Sequence, residues 1–206
     1  MPIDPFLDSI GSTLKEMPAK RVSWYDDIVR KSHKQAQQKN KNYGNSVAQF
    51  PCLARNVNPA TGCLVRMSDK VNRISNLLRG DIDLVGEALE DTWLDLANYC
   101  ILYQIIFDWT WQRELEQPEE MPADLMPKML DEKYLGLLTA KQMPLGVFMG
   151  GYNPAVMMNS PYEATKSGLL YTCEFLKQAN GRFRGNIVAR FLFSLWAEVT
   201  ELELKQ

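Results

Sequence analysis

The amino-acid sequence predicts an all-α protein: a helical bundle with long antiparallel helices, followed by a helical C-terminal extension with irregular loops. Two observations carry this prediction. Apolar residues recur every three or four positions over 64–78, and a second long helix-forming stretch follows over 87–111. This spacing places apolar side chains on one face of a helix. The sequence contains no internal repeat and no convincing series of strand patterns.

The N-terminal half begins with a polar, helix-favouring stretch at 26–40. Gly44 and its neighbouring asparagines predict a turn within 39–46, and the prolines and asparagines of 51–62 predict a loop. The next helix is expected to begin near Gly62. Its apolar positions are Leu64, Met67, Val71, Ile74, Leu77 and Leu78.

The segment "RGDID" (79–83) predicts the end of one helix and the start of the next. Gly80 suits a helix C-terminus, and Asp81 or Asp83 would cap the following N-terminus. That second helix is expected to continue to about Trp111. Two long helices joined by so short a turn are expected to pack antiparallel.

Beyond Pro118 the pattern becomes less regular. Prolines at 118–127 and the segment "GGYNP" within 143–161 indicate irregular connections, and 145–158 could hold a short hairpin. Helices are predicted near 128–140, at 161–179 and at 185–204. The segment "NGRFRGN" (180–186) indicates a helix-connecting turn, although its two arginines could also approach a phosphate. We expect a helical domain over 1–117 and an extension over 118–206 on the same core.

The composition argues against several classes of protein. A net charge of -2 gives the chain no overall attraction to nucleic acid or to an anionic membrane. One histidine and four scattered cysteines argue against a zinc site. Cys100 is expected to be buried, whereas Cys52 and Cys63 could close a short loop. Without a leader-like start or an apolar run of about 20 residues, a cytoplasmic protein is expected.

One stripe of the second long helix carries acidic and amide side chains. At about 100° per residue they fall within an arc of roughly 80°: Glu87, Asp91, Asp95 and Asn98. Apolar side chains flank this stripe, and the opposite face is core surface. Carboxylates crowded in partly dry surroundings need positive charge nearby. On spacing alone, ordinary solvated or paired acids are the alternative.

Two sources of positive charge are available to these carboxylates. If the two helices pair, Lys70 and Arg73 could neutralise Asp91 and Asp95 directly. The other source is Mg²⁺, which prefers hard oxygen ligands and completes its octahedron with waters and phosphate oxygens. In that case Asp69 would be the ligand from the partner helix, and Lys70 and Arg73 would bind phosphate oxygens.

Three blocks of the sequence resemble a known family: "KNYG" (41–44), "RMSDKVNRISNLL" (66–78) and "EALEDTWLDLANY" (87–99). Together, over about residues 30–107, they resemble the nucleotide modification associated domain of the first type. That family occurs in phages and bacteria, and its patterns read DYG, R-x-SDK-x-x-R and D-x-x-x-DLANY. Asn42 stands where the family has Asp, so an acidic role is not expected there.

The helices of that family are similar in turn to those of the MazG-like all-α nucleoside triphosphate pyrophosphatases. Those enzymes bind Mg²⁺ with acidic pairs on neighbouring helices and cleave between the α- and β-phosphates. This chain departs from their pattern, because Asp69 stands alone in place of E-x-x-E and Asp91-x-x-x-Asp95 replaces E-x-x-D. The resemblance therefore implies the fold more strongly than the activity.

The resemblance implies a phage-type nucleotide-metabolism protein that binds a nucleoside phosphate or dNTP with Mg²⁺ and could hydrolyse it. Asp91, Asp95 and Glu87, with Asp69 opposite, would hold the metal, and Glu90 would orient the attacking water. The side chains expected to stabilise phosphate charge are Lys41, Arg66, Lys70 and Arg73. Those expected to read or stack on the base are Tyr43, Asn72 and Asn98, with plain packing as the alternative for Tyr43.

A second class of function stays open, a non-catalytic nucleotide- or protein-binding accessory factor of phage DNA modification or host takeover. In that case the aromatic-rich region beyond residue 107 would be an interface. The apolar face of 187–204 must be buried against the core or another subunit. Helical nucleotide hydrolases of the type resembled are commonly oligomers, so the resemblance implies a homo-oligomer. Direct nucleic-acid binding through the basic stretches 30–41 and 182–190 is not expected, since such stretches are commonly solvated helix faces.

Overall fold

The computed structural model describes residues 19–80, 86, 88–112, 120–138 and 161–203. Within them lie six α-helices and one 3₁₀ helix (Ser46–Ala48). The α-helices are α1 (Ala19–Asn42), α2 (Pro59–Arg79), α3 (Leu89–Gln112), α4 (Leu125–Leu138), α5 (Pro161–Ala179) and α6 (Gly185–Glu203). The described residues contain no strand. The predicted all-α class is therefore confirmed, while the hairpin considered for 145–158 lies outside the described residues.

Helix α3 is the central element of the bundle. It packs against α1, α2, α4 and α6, and its buried side chains point to several sides, among them Trp93, Leu96, Cys100 and Ile105. A helix that is apolar around its circumference is stable only when it is surrounded. The bundle supplies that surrounding.

Helices α2 and α3 form the predicted antiparallel pair. Three contacts between them show the antiparallel arrangement, because the residue number rises along α2 while it falls along α3. They join Cys63 to the Tyr99 carbonyl, Lys70 to Asp95, and Arg73 to Thr92. Helix α2 begins at Pro59, slightly before the expected Gly62. Asn58 accepts a hydrogen bond from the Thr61 amide (2.8 Å) as its N-cap, and proline suits the first helical position.

The predicted start of α3 was wrong. The helix begins at Leu89 rather than after Asp81 or Asp83, and Gly86 lies before it with a φ of 72°. Glu90 and Asp91 therefore occupy the first helical turn, where carboxylates interact favourably with the helix N-terminus. Residues 81–85 and 87 lie outside the described residues.

The three C-terminal helices agree with their predicted ranges and join the same core as α3. The indole nitrogen of Trp93 donates to the Leu192 carbonyl (3.0 Å), and the rings of Trp93 and Trp196 meet edge to face. The predicted boundary between 117 and 118 lies outside the described residues and stays a prediction.

The segment 180–186 is a helix-connecting turn, one of the two expected roles. Asn180 and Gly181 adopt positive φ values, and the Gly181 carbonyl accepts a hydrogen bond from the Tyr103 hydroxyl (2.7 Å). Gly185 starts α6 directly against α3, and its amide donates to the Gln104 side-chain oxygen (2.8 Å). These contacts fix α6 on the central helix.

All four cysteines are free, so Cys52 and Cys63 do not form the disulfide considered from the sequence. Cys100 is buried, as expected. Among the described residues, no helix is both long enough and apolar enough to span a membrane.

Candidate functional site

A narrow cleft lies where the end of α1, the 3₁₀ helix, α2 and α3 meet. Its cavity volume is about 50 Å³, enough for a few water molecules. A larger ligand would therefore occupy its mouth or widen it. The described residues that line it are Ala36, Lys39, Asn40, Tyr43, Ser46, Val47, Arg66, Asp95, Asn98, Tyr99 and Leu102.

Asp95 is the carboxylate at the centre of this cleft, and two lysines bind it from different helices. Lys39 of α1 contacts Oδ1, and Lys70 of α2 contacts Oδ2 at 3.2 Å. The side chain of Asp95 is 15% exposed, against 44% for Lys39, so the carboxylate is enclosed while that ammonium group reaches solvent. The pairing of Lys70 with Asp95, one of the two sources of charge predicted for this carboxylate, is therefore in place.

Asn98 lies one helical turn beyond Asp95 and is 5% exposed. Its side-chain oxygen accepts hydrogen bonds from the hydroxyls of Ser32 (3.1 Å) and Tyr134. Burial raises the pKa of Tyr134 far above its ordinary value, so that hydroxyl stays protonated and donates. The two hydroxyls fix the amide, and its nitrogen, directed away from them, has no partner among the described residues.

The structure does not gather the predicted metal ligands at the cleft. Asp69, Glu90 and Asp91 are exposed, and none is among the described residues lining the cleft. Glu87 lies outside the described residues. In the described part of the chain, no three His, Cys, Asp or Glu side chains are placed to hold a metal ion together. The predicted magnesium site, which includes Glu87, therefore stays a prediction.

Among the predicted phosphate and base contacts, Tyr43 and Arg66 line the cleft together with Asn98. Tyr43 is 69% exposed, so it does not pack into the core as the alternative interpretation required. Arg66 is partly buried on α2. These three side chains are brought together from sequence positions far apart.

The remaining predicted contacts lie elsewhere. Lys41 is exposed and lines a second cavity beside the end of α1. Arg73 donates from Nε to the Thr92 hydroxyl (3.0 Å). Asn72 is exposed and lines a groove between α2 and the end of α5. Lys70, the last of the predicted phosphate contacts, does reach the cleft, because its ammonium group binds Asp95.

Seven of the eleven described residues that line the cleft were not predicted from the sequence, among them Lys39, Asn40 and Tyr99. A signal for the first was present. The buried face of α1 carries Ser32 and Ala36 at helical spacing, and Lys39 continues that face by one more turn. Its charge suggested a solvated helix end instead.

The fold and the cleft define an all-helical protein whose central site combines lysine and arginine side chains with one enclosed carboxylate. The Asn98 amide nitrogen and the Asn40 side-chain oxygen in this cleft have no hydrogen-bond partner in the described part of the chain. Residues 39–106 match the model of the family nucleotide modification associated domain 1. This match, which includes every described cleft-lining residue except Ala36, confirms the family resemblance over that segment. The similarity to MazG-like enzymes stays a prediction. No curated protein and no solved structure matches the chain.

Proposed function

We propose that the chain binds a nucleoside phosphate, with the phosphate groups in the cleft between α1, α2 and α3. One observation carries the proposal: cationic side chains from two helices surround a single enclosed carboxylate inside the segment that matches the nucleotide modification associated family. In this interpretation the protein serves nucleotide metabolism or DNA modification by holding the nucleotide.

The charges at the cleft favour an anion. Lys39, Lys70 and Arg66 bring three positive charges and Asp95 brings one negative charge, so the cluster carries a net charge of +2. Asp95 holds the two ammonium groups close together before any ligand arrives. A polyphosphate offers more charge and more acceptor oxygens than one carboxylate, and charge-assisted hydrogen bonds are the strongest kind.

Two further side chains would complete the contacts. The amide nitrogen of Asn98 supplies a neutral donor at the floor of the cleft, suited to a phosphate or sugar oxygen. Tyr43 places an exposed aromatic ring at the mouth, where it can stack on the sugar or base. Stacking is the role expected for Tyr43 from the sequence, whereas Asn98 was expected to read the base.

Binding, rather than hydrolysis, is the function we propose. Hydrolysis through the predicted Mg²⁺ set would need free carboxylates converging on the phosphates, whereas Glu90 and Asp91 are exposed and Asp95 is paired with two lysines. A binding or accessory role needs only the cationic cluster and the amide.

Calorimetric titration of the full chain with the four dNTPs and with inorganic tripolyphosphate, each with Mg²⁺ or with EDTA, tests the proposal. We expect binding in both conditions. Lys39→Ala and Lys70→Ala should each weaken binding at least tenfold, because a hydrogen bond to a charged group contributes about 1.5–3 kcal/mol. Lys34→Ala, an exposed lysine on α1 away from the cleft, is the matched control and should change binding less than twofold.

Failure of the unaltered chain to bind any of these ligands would refute the proposal, as would equal losses in the three variants. The same samples are assayed for nucleoside monophosphate and pyrophosphate. Their appearance only with Mg²⁺, and only with Glu87 and Asp91 intact, would establish the predicted hydrolase in place of simple binding.

A further inference from the structure

A second and larger cavity adjoins the cleft at the end of α1. Its volume is about 450 Å³. It lies between the last turns of α1, the turn at Gly44 and Asn45, and the start of α4, and we call it the amide cavity because three carboxamide side chains line it. Its described lining residues are Gln37, Asn40, Lys41, Gly44, Asn45, Ala123, Pro127, Leu130 and Asp131.

Two hydrogen bonds hold the segment before α4 against the turn and so form this cavity. The Met121 amide donates to the Ala48 carbonyl (3.1 Å), and the Phe50 amide donates to the Glu120 carboxylate (3.1 Å). These contacts fix the segment before α4 beside the cavity, although five of its nine described lining residues are exposed.

Asn45 is the unusual residue of the amide cavity. The residue is only 5% exposed. Neither the oxygen nor the nitrogen of its side chain has a hydrogen-bond partner among the described residues. It precedes the 3₁₀ helix in a left-handed conformation (φ 64°) without capping it. Buried polar groups in folded proteins are nearly always paired. Asn45 thus keeps one donor and one adjacent acceptor available for a ligand.

Apart from the exposed Lys41, the rest of the cavity suits a flat ligand with a polar edge. Ala123, Pro127 and Leu130 form an apolar wall. The Asp131 carboxylate already accepts a hydrogen bond from the Gln37 amide nitrogen. Such a combination of apolar walls and a few convergent polar groups is typical of small-molecule sites.

Asn40 connects this cavity to the cleft. It lines both spaces, and its side-chain oxygen is buried without a partner among the described residues. A ligand with a charged part and a neutral part could therefore place one part on each side of Asn40.

We propose that the amide cavity binds the nucleobase of the nucleotide whose phosphates lie in the cleft, with the Asn45 carboxamide pairing with an adjacent donor and acceptor on the base edge. This inference rests on the proposed function. Carboxamides pair bidentately with base edges of this kind, as asparagine does with adenine. The base, and not only the phosphates, would then determine affinity.

The experiment separates the two sites by using ligands that reach only one of them. Free deoxynucleosides, titrated into the full chain and followed by NMR, probe the amide cavity, and inorganic tripolyphosphate, followed by calorimetry, probes the cleft. The test variant is Asn45→Asp, which keeps the side-chain shape and tolerates the left-handed backbone but replaces the donor with a second acceptor.

The expected result is a loss of at least tenfold in affinity for deoxyadenosine in Asn45→Asp, with a relative preference for deoxyguanosine, which presents two adjacent donors to a carboxylate. Tripolyphosphate affinity should stay within twofold. Asn180→Asp is the matched control: Asn180 also has a positive φ (47°) but is exposed and does not line the amide cavity. It should leave both affinities unchanged, and thermal melts verify that each variant is folded.

The possible failures are distinguishable. Binding of tripolyphosphate but of no nucleoside would overturn the base site and leave the proposed function standing. Nucleoside binding that depends on Asn45, without tripolyphosphate binding, would support the base site and refute the phosphate cleft. Equal nucleoside affinities in Asn45→Asp and in the unaltered chain would also overturn the base site.

Discussion

Gly185→Ala should destabilise the protein strongly, because the first residue of α6 lies directly on the backbone of α3. A Cβ atom added at Gly185 would lie 1.9 Å from the Cys100 carbonyl oxygen. Since a non-bonded carbon and oxygen need roughly 3.2 Å, the two backbones would have to separate by about 1.3 Å in a closely packed interior. Such overpacking costs about 1–3 kcal/mol.

The same displacement stretches the hydrogen bond from the Gly185 amide to Gln104, and an unpaired buried group costs a further ~1–3 kcal/mol. We expect a loss of about 2–6 kcal/mol in the free energy of unfolding, and a fall in Tm of about 2–4 °C for each kcal/mol lost in a chain of this size. Urea denaturation followed by circular dichroism measures this loss.

Gly168→Ala provides the contrast. The new Cβ would meet the Leu195 side chain, with its closest atom at 2.9 Å, and a side-chain methyl can move aside. Alanine also favours the helix interior by about 1 kcal/mol over glycine. We expect this variant to lie within about 1 kcal/mol of the original stability. The close approach of α6 to α3 would be disproved if Gly185→Ala were equally harmless.

Three further predictions concern charge and protonation. Asp95→Asn frees the two lysines and should raise the affinity for tripolyphosphate roughly tenfold, as measured by calorimetry. A fall in that affinity seen only with Mg²⁺ would instead identify Asp95 as a metal ligand. Burial lowers the pKa of His33 below 6.5, so the unfolded chain binds more protons, and the free energy of unfolding should fall as pH decreases below about 6.5, less steeply in His33→Gln. Exposed Cys52 should be the one thiol that reacts with a disulfide reagent at pH 8. The other cysteines are buried, and burial raises the pKa of Cys63 to about 12 and that of Cys173 to about 11. Labelling of two or more thiols in the native protein would contradict this.

Helical periodicity was sufficient to predict most of the fold. The ranges of α5 and α6 agree with prediction because each carries a strong apolar stripe between clear turn residues. The extension of α1 back to Ala19 was missed, although buried Tyr25 and Val29 lie on the same helical face as Ser32. Packing against α6 and α4 stabilises α1 as a whole, and the apolar residues within 19–25 were not recognised as part of its helical pattern.

The site was predictable only in part, for a physical reason. Lys70 and Asp95 are charged partners at helical spacing, so their pairing follows once α2 and α3 pack together. Asp91 lies one turn before Asp95 on the same helical face, but it belongs to the exposed first turn of α3 and does not line the cleft. Asn45 lies in a turn, where asparagine is common, and the local sequence does not predict that it is buried beside a cavity whose other wall is formed by residues 123–131.

The central position of α3 bears on the segment 39–106, over which the family similarity extends. Excising that segment would strip α4 and α6 from α3 and leave Trp93, Leu96 and Ile105 facing water. At about 25 cal/mol per Å² of apolar surface, such a fragment would be expected to aggregate rather than fold autonomously. Among the described residues, the segment 39–106 shares its core with α4 and α6, so these C-terminal neighbours contribute to the stability of any site that the segment carries.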